Sequence, residues 1–452
     1  MENKIIEIYQ KYKKNILDKN GAVDRIISVI ENIQKHNERY EALKALGEIK
    51  LKDERIFPFL ESLFLSDSNE KIRIIAAKII RQDYIDLAYN PMKWALNHET
   101  SPESLKEIHE CLMQILTEIK NDNTINYKEY LIEEISDIKN KEFRVGFEIL
   151  KEKKEINTLK KEVLIKVLVN YYTLVYLEKA YWRVKYSLNN LEIVKLDFIF
   201  KGLNSIPCAL KYLTSINSLI FRYNQITSIP EWIGRLKLLK TLNFNVNELH
   251  SLPNSIGQLK ALKEFYLWKN NLEILPNSLG DLEYLEILNL RLNYISYLPS
   301  SIGKLKSLKE LNLHDNKLTA LPPTIGNLNN LQKLNLSWNM LKELPRTIGN
   351  LFSLKTLDLG RNELKELPET IGNLNKLNTL ILSENQLKHL PNEIIELKNL
   401  KHLNVARNRL ISLPEGLDSM PKLEELYISE NNIDSFSSLI TKLEHNGVKI
   451  FL

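Results

Sequence analysis

Residues 308–322 read Leu-Lys-Glu-Leu-Asn-Leu-His-Asp-Asn-Lys-Leu-Thr-Ala-Leu-Pro, and residues 331–345 repeat the frame as Leu-Gln-Lys-Leu-Asn-Leu-Ser-Trp-Asn-Met-Leu-Lys-Glu-Leu-Pro. The shared pattern is L-x-x-L-x-L-x-x-N-x-L-x-x-L-P. Working outward, prolines recur at 207, 230, 253, 276, 299, 322, 345, 368, 391 and 414, every step being 23 residues. An Asn column keeps the same step through Asn224, Asn247, Asn270, Asn293, Asn316, Asn339, Asn362, Asn385, Asn408 and Asn431. A fixed period of this length means stacked supersecondary units, none of which buries its apolar face alone.

The repeat resembles the leucine-rich-repeat family, over residues 193–436. The inserts Ile233-Gly234, Ile256-Gly257, Ile302-Gly303, Ile325-Gly326, Ile348-Gly349 and Ile371-Gly372 resemble the 23-residue intracellular type, as in plant intracellular and Ras-scaffold leucine-rich-repeat proteins. The resemblance implies an α/β solenoid, a horseshoe of about eleven repeats with a parallel sheet on its concave side. It also implies a non-enzymatic interaction scaffold whose protein partner is a small GTPase or a phosphatase.

The residues themselves explain the pattern. In L-x-L the leucines point inward and the intervening residues outward, as strand geometry requires. The Asn side chain bonds backbone groups at the turn off the strand, and its stacked copies form a ladder. Leu-Pro opens a return limb with a short helical stretch, and Ile-Gly-x-Leu packs the convex side. Terminal repeats depart from the frame. The first (Ile193, Leu196, Phe198, Leu203, Ile206, Pro207) carries Lys201 in the Asn column, and the last has Ser437 after Phe436 in place of proline. A helix over Leu439–His445 and an edge strand over Gly447–Leu452 are expected to close the array.

Residues 1–190 hold only three glycines and three prolines, against eleven and twelve in the rest. They show no strand-like alternation and predict nine or ten amphipathic helices. Tyr40–Gly47 predicts a helix stopped by its glycine, Arg55–Leu65 a second, and Asp67-Ser-Asn-Glu-Lys-Ile-Arg73-Ile-Ile-Ala-Ala77 the start of a third. This stretch resembles a HEAT repeat; a plain helical bundle is the alternative. The expected domains are therefore 1–190, all-α and possibly HEAT-like, and 191–452, the repeat array with its C-terminal cap.

The 452 residues carry 62 Lys plus Arg and 57 Asp plus Glu, a net charge of +5. The balance holds within each half, which argues against a nucleic-acid footprint or a polybasic membrane anchor. The most apolar run, Val163–Leu177, is short for a bilayer and interrupted by Lys166 and Asn170, so a buried helix is expected. Two cysteines, Cys111 and Cys208, make neither a disulfide framework nor a zinc cage, and the charged start Met1-Glu-Asn-Lys is unlike a signal peptide. A reducing, cytoplasmic setting is the expectation.

No phosphate-binding G-x-x-x-x-G-K-[ST] loop is present, and H-E-x-x-H, G-x-S-x-G and G-x-G-x-x-G are missing too. No cofactor, metal or small-molecule substrate is expected. His109 and Cys111, two apart on a helix, point to different faces. Cys111 is expected to be a small core residue; the rival reading is a substrate-receptor or ubiquitin-ligase-like enzyme with an unrecognised active site in the helical domain, against which Cys111 lacks an Asp or His neighbourhood suited to a thioester nucleophile.

Candidate binding residues come from the outward columns. The fold places no demand for aromatics there, yet Arg222, Tyr223, Tyr266, Trp268, Arg291, Leu292, His314, Trp338 and Arg361 fall in them. Arg, Trp and Tyr are the side chains that anchor protein interfaces. The strip is expected to be exposed and centred on Tyr266, Trp268 and Arg291. Either a separate partner or the chain's own helical domain covers it. The junction at residue 190 adjoins the first repeat, which favours a separate partner at the fourth. The small outward residues of the later repeats are expected to be a plain solvated face.

Overall fold

The computed structural model describes residues 2–122, 127–152, 158–433 and 438–452. It divides into two compact units, Met1–Val184 with Leu188–Ile193, and Lys185–Ser187 with Val194–Leu452.

The first unit is built, among the described residues, from ten α-helices running from α1 (Glu2–Lys13) to α10 (Lys161–Ala180). Side-chain caps fix several starts. Asn69 accepts from Lys71 N at 2.9 Å ahead of α5 (Glu70–Asp83), and Ser101 accepts from Ser104 N ahead of α7 (Pro102–Asn121), which has proline at its first position. Gly47 does not stop a helix. Its helix, α3 (His36–Ile49), runs two residues further and ends on Lys50 in the left-handed region (φ 50°). Gly47 instead faces Ile79 of α5, where an added Cβ would come within 3.1 Å of the Ile79 side chain. Its role is close helix packing. The Asp67 turn, after α4 (Ile56–Ser66), is tied by an Arg39–Asp67 ion pair at 3.1 Å and by an Arg73 guanidinium bond to the Asp67 carbonyl at 3.0 Å.

The second feature, among the described residues, is one sheet of thirteen strands in sequence order. It starts with β1 (Lys185–Asn189) and β2 (Glu192–Asp197). Strand β1 lies within residues expected to be helical; Lys-Tyr-Ser-Leu-Asn does alternate, with Tyr186 and Leu188 half-buried between exposed neighbours, but over five residues only. Three-residue strands follow: β3 (Ser218–Ile220), β4 (Thr241–Asn243), β5 (Glu264–Tyr266), β6 (Ile287–Asn289), β7 (Glu310–Asn312), β8 (Lys333–Asn335), β9 (Thr356–Asp358), β10 (Thr379–Ile381), β11 (His402–Asn404) and β12 (Glu425–Tyr427). From β2 onward every pairing is parallel, and up to β12 each shifts the register by one repeat, as in Leu288↔Leu311↔Leu334. Helix α11 (Ser438–His445) and β13 (Lys449–Phe451), which pairs with β12, close the array as expected. The departure expected at Phe436 and Ser437 lies outside the described residues.

The inward residues form a continuous buried core. In the first three repeats its second position is aromatic, and Phe198, Phe221 and Phe244 stack at 5.3 and 5.0 Å. Each proline precedes a short 3₁₀ turn, tighter than an α-helix, such as Pro323–Asn327. The Ile-Gly inserts have a steric origin. A Cβ on Gly234 would sit 2.7 Å from the Ser255 carbonyl oxygen of the next repeat, and the equivalent approaches at Gly257, Gly303 and Gly326 are closer still. Only a residue without a side chain allows the return limbs to stack this tightly.

The Asn ladder closes the accounting of backbone groups. Asn316 Nδ2 donates to the carbonyls of Leu290 and Leu313 at 3.0 and 3.1 Å, and its Oδ1 accepts from Ile295 N at 3.0 Å. Where Lys201 replaces asparagine, its backbone N–H donates to Asn224 Oδ1 of the following repeat.

Candidate functional site

Three outward columns shape the concave surface. The first ends each short strand and is rich in Asn and Asp. Their side-chain oxygens accept the N–H two residues on: Asn289 from Arg291 at 3.1 Å, Asn312 from His314 at 3.0 Å, Asn335 from Ser337 at 3.0 Å and Asp358 from Gly360 at 3.0 Å. The second column holds Arg222, Trp268, Arg291 and His314. The third, Tyr223, Leu292, Trp338 and Arg361 among them, is not on the strands. It lies just past them, in the left-handed region, at φ between 54° and 58° in every repeat from Phe200 to Glu430. Even Val246 takes φ 58°, so the stacked ladder imposes this conformation on side chains that disfavour it.

The nine expected residues do not make one uniform strip. Near the first repeats Tyr223 stacks on Phe200 at 4.4 Å, and the Arg222 guanidinium lies 5.3 Å from the Tyr223 ring. Tyr266 and Trp268 are half-buried rather than exposed, and Trp268 Nε1 is shut from solvent without a hydrogen-bond partner. Parallel strands about 4.8 Å apart crowd large outward side chains against their neighbours. Leu292 is half-buried as well. Arg291, His314, Trp338 and Arg361 come together around a cleft of about 310 Å³, which Asn312, Asn335, Asp358 and Glu384 also line.

Within this cleft Trp338 stays 47% exposed. The Arg361 guanidinium lies 3.8 Å from its ring centre and donates through Nε to Glu384 at 2.8 Å, while His314 meets the same ring edge-on at 6.3 Å. The Ser337 hydroxyl contacts Asn335 Oδ1 at 2.6 Å and His314 Nδ1 at 2.8 Å. Its single proton goes to that acceptor-only amide oxygen, so His314 Nδ1 is the donor. Burial, then the charge of Arg291, holds the His314 imidazole below its ordinary value. Burial pushes the Asp358 carboxyl up, against the Gly360 N–H and the Ser337 hydroxyl beside it. Serine here bridges histidine and an amide oxygen, with the Asp358 carboxyl beside it. In a hydrolytic triad the histidine stands in the middle, so this cluster is a polar lining and not a nucleophile.

Residues 261–347 and 342–445 match a family model described as a leucine-rich-repeat region. The repeat unit is a leucine-rich-repeat solenoid. It is similar to a leucine-rich-repeat protein of Leptospira interrogans, with 37% identity, a TM-score of 0.54, and coverage of 57% of this chain and 65% of that one. It is also similar to the plant peptide hormone receptor RGFR1, solved in complex with RGF2, at 29% identity over 55% of this chain and 45% of that chain, TM-score 0.48. An internalin from Listeria monocytogenes shares 20% identity over 59% of this chain and 91% of that chain, TM-score 0.43. The chain thus spans less than two thirds of the length of the first two solved proteins. No curated protein sequence matches it.

The later repeats of the solenoid are not a plain face. Ser337, Gly360 and Ser383, where earlier repeats carry Trp268, Arg291 and His314, make the depression, because small side chains leave room beside Trp338 and Arg361. The readable signal was the switch from bulky to small along one column. A further group of exposed apolar side chains, Ile274, Tyr294 and Tyr297, lies past the Asn turn.

In the helical unit Cys111 is fully buried, and burial pushes its thiol up to about 12. His109, also buried, bonds Thr173 Oγ1 at 2.9 Å and stacks on Tyr176. A thiol so placed is a core side chain, not an accessible nucleophile. Among the described residues no His, Cys, Asp and Glu cluster could hold a metal ion, and no helix is long and apolar enough to cross a membrane.

Proposed function

We propose that this protein is a non-enzymatic scaffold or adaptor that binds a partner protein on the concave face of its leucine-rich-repeat solenoid, at the cleft around Trp338. The observation that carries this reading is the Trp338 ring, stacked under Arg361 yet nearly half exposed, beside a cleft lined by polar groups. An aromatic surface with charged and hydrogen-bonding neighbours is what interface anchors use. The cluster Phe200, Arg222 and Tyr223, the pair Tyr266 and Trp268, and Leu292 would extend the contact. The scarcity of cysteine supports a cytoplasmic setting, and the Asp67–Arg73 turn supports a HEAT-like reading of α3 to α5.

Photo-crosslinking tests this in the full chain. A photoreactive phenylalanine analogue replaces Trp338 in one variant and Phe352, exposed on a return limb, in another. A specific protein adduct from position 338 alone is expected, and its identification by mass spectrometry reads out whether it is the small GTPase or phosphatase that the family resemblance implies. Adducts only from 352, or only from Tyr297 in a third variant, would overturn the concave site.

A further inference from the structure

The concave cleft has a chemical direction. In the first column the oxygens of Asn289, Asn312 and Asn335 are each taken by a backbone N–H, which leaves their amide nitrogens as the free donors. No protein group among the described residues accepts from those nitrogens. Strand register sets them side by side, Asn289↔Asn312↔Asn335. Arg291, one column over, is exposed and has no carboxylate or carbonyl partner among the described residues. The arginines of the third column are occupied: Arg361 donates to Glu384 and Arg407 to Glu430. One end of the cleft therefore offers a guanidinium and a row of N–H donors with nothing to accept them. Lys269 adds positive charge there. The acidic lining lies at the opposite end, where Glu384 is neutralised by Arg361 and burial pushes Asp358 toward its neutral form; Asp315 flanks His314 between the two.

We propose that the Arg291 end of the cleft receives an aspartate or glutamate side chain from an extended segment of the partner, laid across the strands between Trp268 and Trp338. The inference rests on the concave-face reading above. Those two tryptophans flank strands β5 to β8, three steps of about 4.8 Å, or roughly 14 Å, which an extended segment of about four or five residues covers. Arg291 sits inside that span, so the carboxylate belongs within the segment rather than at a chain end. A guanidinium with neighbouring amide donors matches a carboxylate's acceptor geometry.

The test uses the full-length protein and a phage library of twelve-residue peptides fused through their C-termini, which carry no free α-carboxylate. Selected peptides are expected to share an acidic position, and a winner is resynthesised with both ends capped. Changing its Asp or Glu to the amide should weaken binding at least about tenfold on the wild type and less than about twofold on Arg291→Gln, measured by fluorescence polarisation. Trp338→Ala should weaken the acid and amide peptides alike. Winners that depend on Trp338 but share no acidic position, or an acid-to-amide loss that persists on Arg291→Gln, overturn the inference while leaving concave binding in place. Enrichment only from a library with free C-termini overturns it as well. Winners indifferent to both substitutions, or none enriched over an empty surface, overturn it together with the site at Trp338.

Discussion

The guanidinium of Arg361 lies 3.8 Å from the centre of the Trp338 ring. A stack of this kind holds the ring in place at the surface, and its Glu384 partner fixes the cation. Trp338 is thus ordered before any partner arrives, which lowers the entropy cost of binding. Trp338→Ala should weaken partner binding by about 2 kcal/mol, as for an interface anchor. Its thermal midpoint should fall less than that of Trp268→Ala, because the ring is 47% exposed and its stacking partner is a surface cation. Trp268→Ala removes a half-buried ring and should cost about 1–3 kcal/mol of stability in addition to any loss of binding. Calorimetry on the two variants checks the order; an earlier unfolding of Trp338→Ala than of Trp268→Ala would reverse the assignment.

Two asparagines four residues apart separate ladder from surface. Asn316 makes three bonds to buried backbone groups, while Asn312 holds one part-buried N–H, that of His314. Replacing Asn316 by Ala should cost about 1–3 kcal/mol, the penalty of stranding buried donors and acceptors. Asn312→Ala should cost about 0.5 kcal/mol or less. Urea denaturation of each variant reads the difference, and equal losses would contradict the register described.

Glycines offer a second contrast. A methyl on Gly303 would overlap the Thr324 carbonyl oxygen, a backbone atom that cannot yield without moving a whole return limb. On Gly360 the nearest neighbour is the Ser383 hydroxyl at 3.3 Å, which can rotate. Gly303→Ala should destabilise by about 1–3 kcal/mol through overpacking. Gly360→Ala should fold normally and narrow the cleft it lines, so reduced partner binding at an unchanged midpoint is the expected result.

Period and polarity explain what the sequence made legible. The 23-residue lattice, the Asn ladder and the Ile-Gly inserts each answer to a contact with the next repeat, so a strict constraint writes a strict column. The strip of candidate residues was legible as composition but not as exposure. Whether Trp268 or Trp338 faces solvent depends on neighbours 23 residues away, and on a left-handed backbone turn that any side chain in the third column is forced to share. The role of Ser337, Gly360 and Ser383 was hidden because a depression is made by absent volume. In the helical unit Gly47 looked like a stop signal, and only the approach of Ile79 shows it to be a packing position. Strand β1 alternates through Tyr186 and Leu188, but five residues after a long helical stretch are too few to set a period.

His314 gives the cleft a titratable reporter. Burial and the neighbouring Arg291 lower its value from the ordinary 6.5, with Asp315 and Asp358 opposing. The groups facing it are Arg291, the Ser337 hydroxyl, the Trp338 ring and those two carboxylates. A histidine with a depressed folded value contributes stability that is present above pH 6.5 and is lost as pH falls toward the folded value, because the unfolded chain binds the proton first. His314→Gln should therefore flatten the fall in thermal midpoint between about pH 7 and pH 5. The same residue responds to a ligand. A carboxylate set on Arg291 offsets the charge that disfavours protonation, so the His314 midpoint, followed by proton–nitrogen NMR, should rise when the capped acidic peptide binds. Linkage then fixes the sign for affinity: the complex takes up protons, and binding should tighten as pH falls from about 7 to 6. Arg291→Gln should raise the midpoint of the free protein and abolish the further shift on binding. A midpoint at or above 6.5 in the free wild type would show that Arg291 does not act on His314 as the geometry requires.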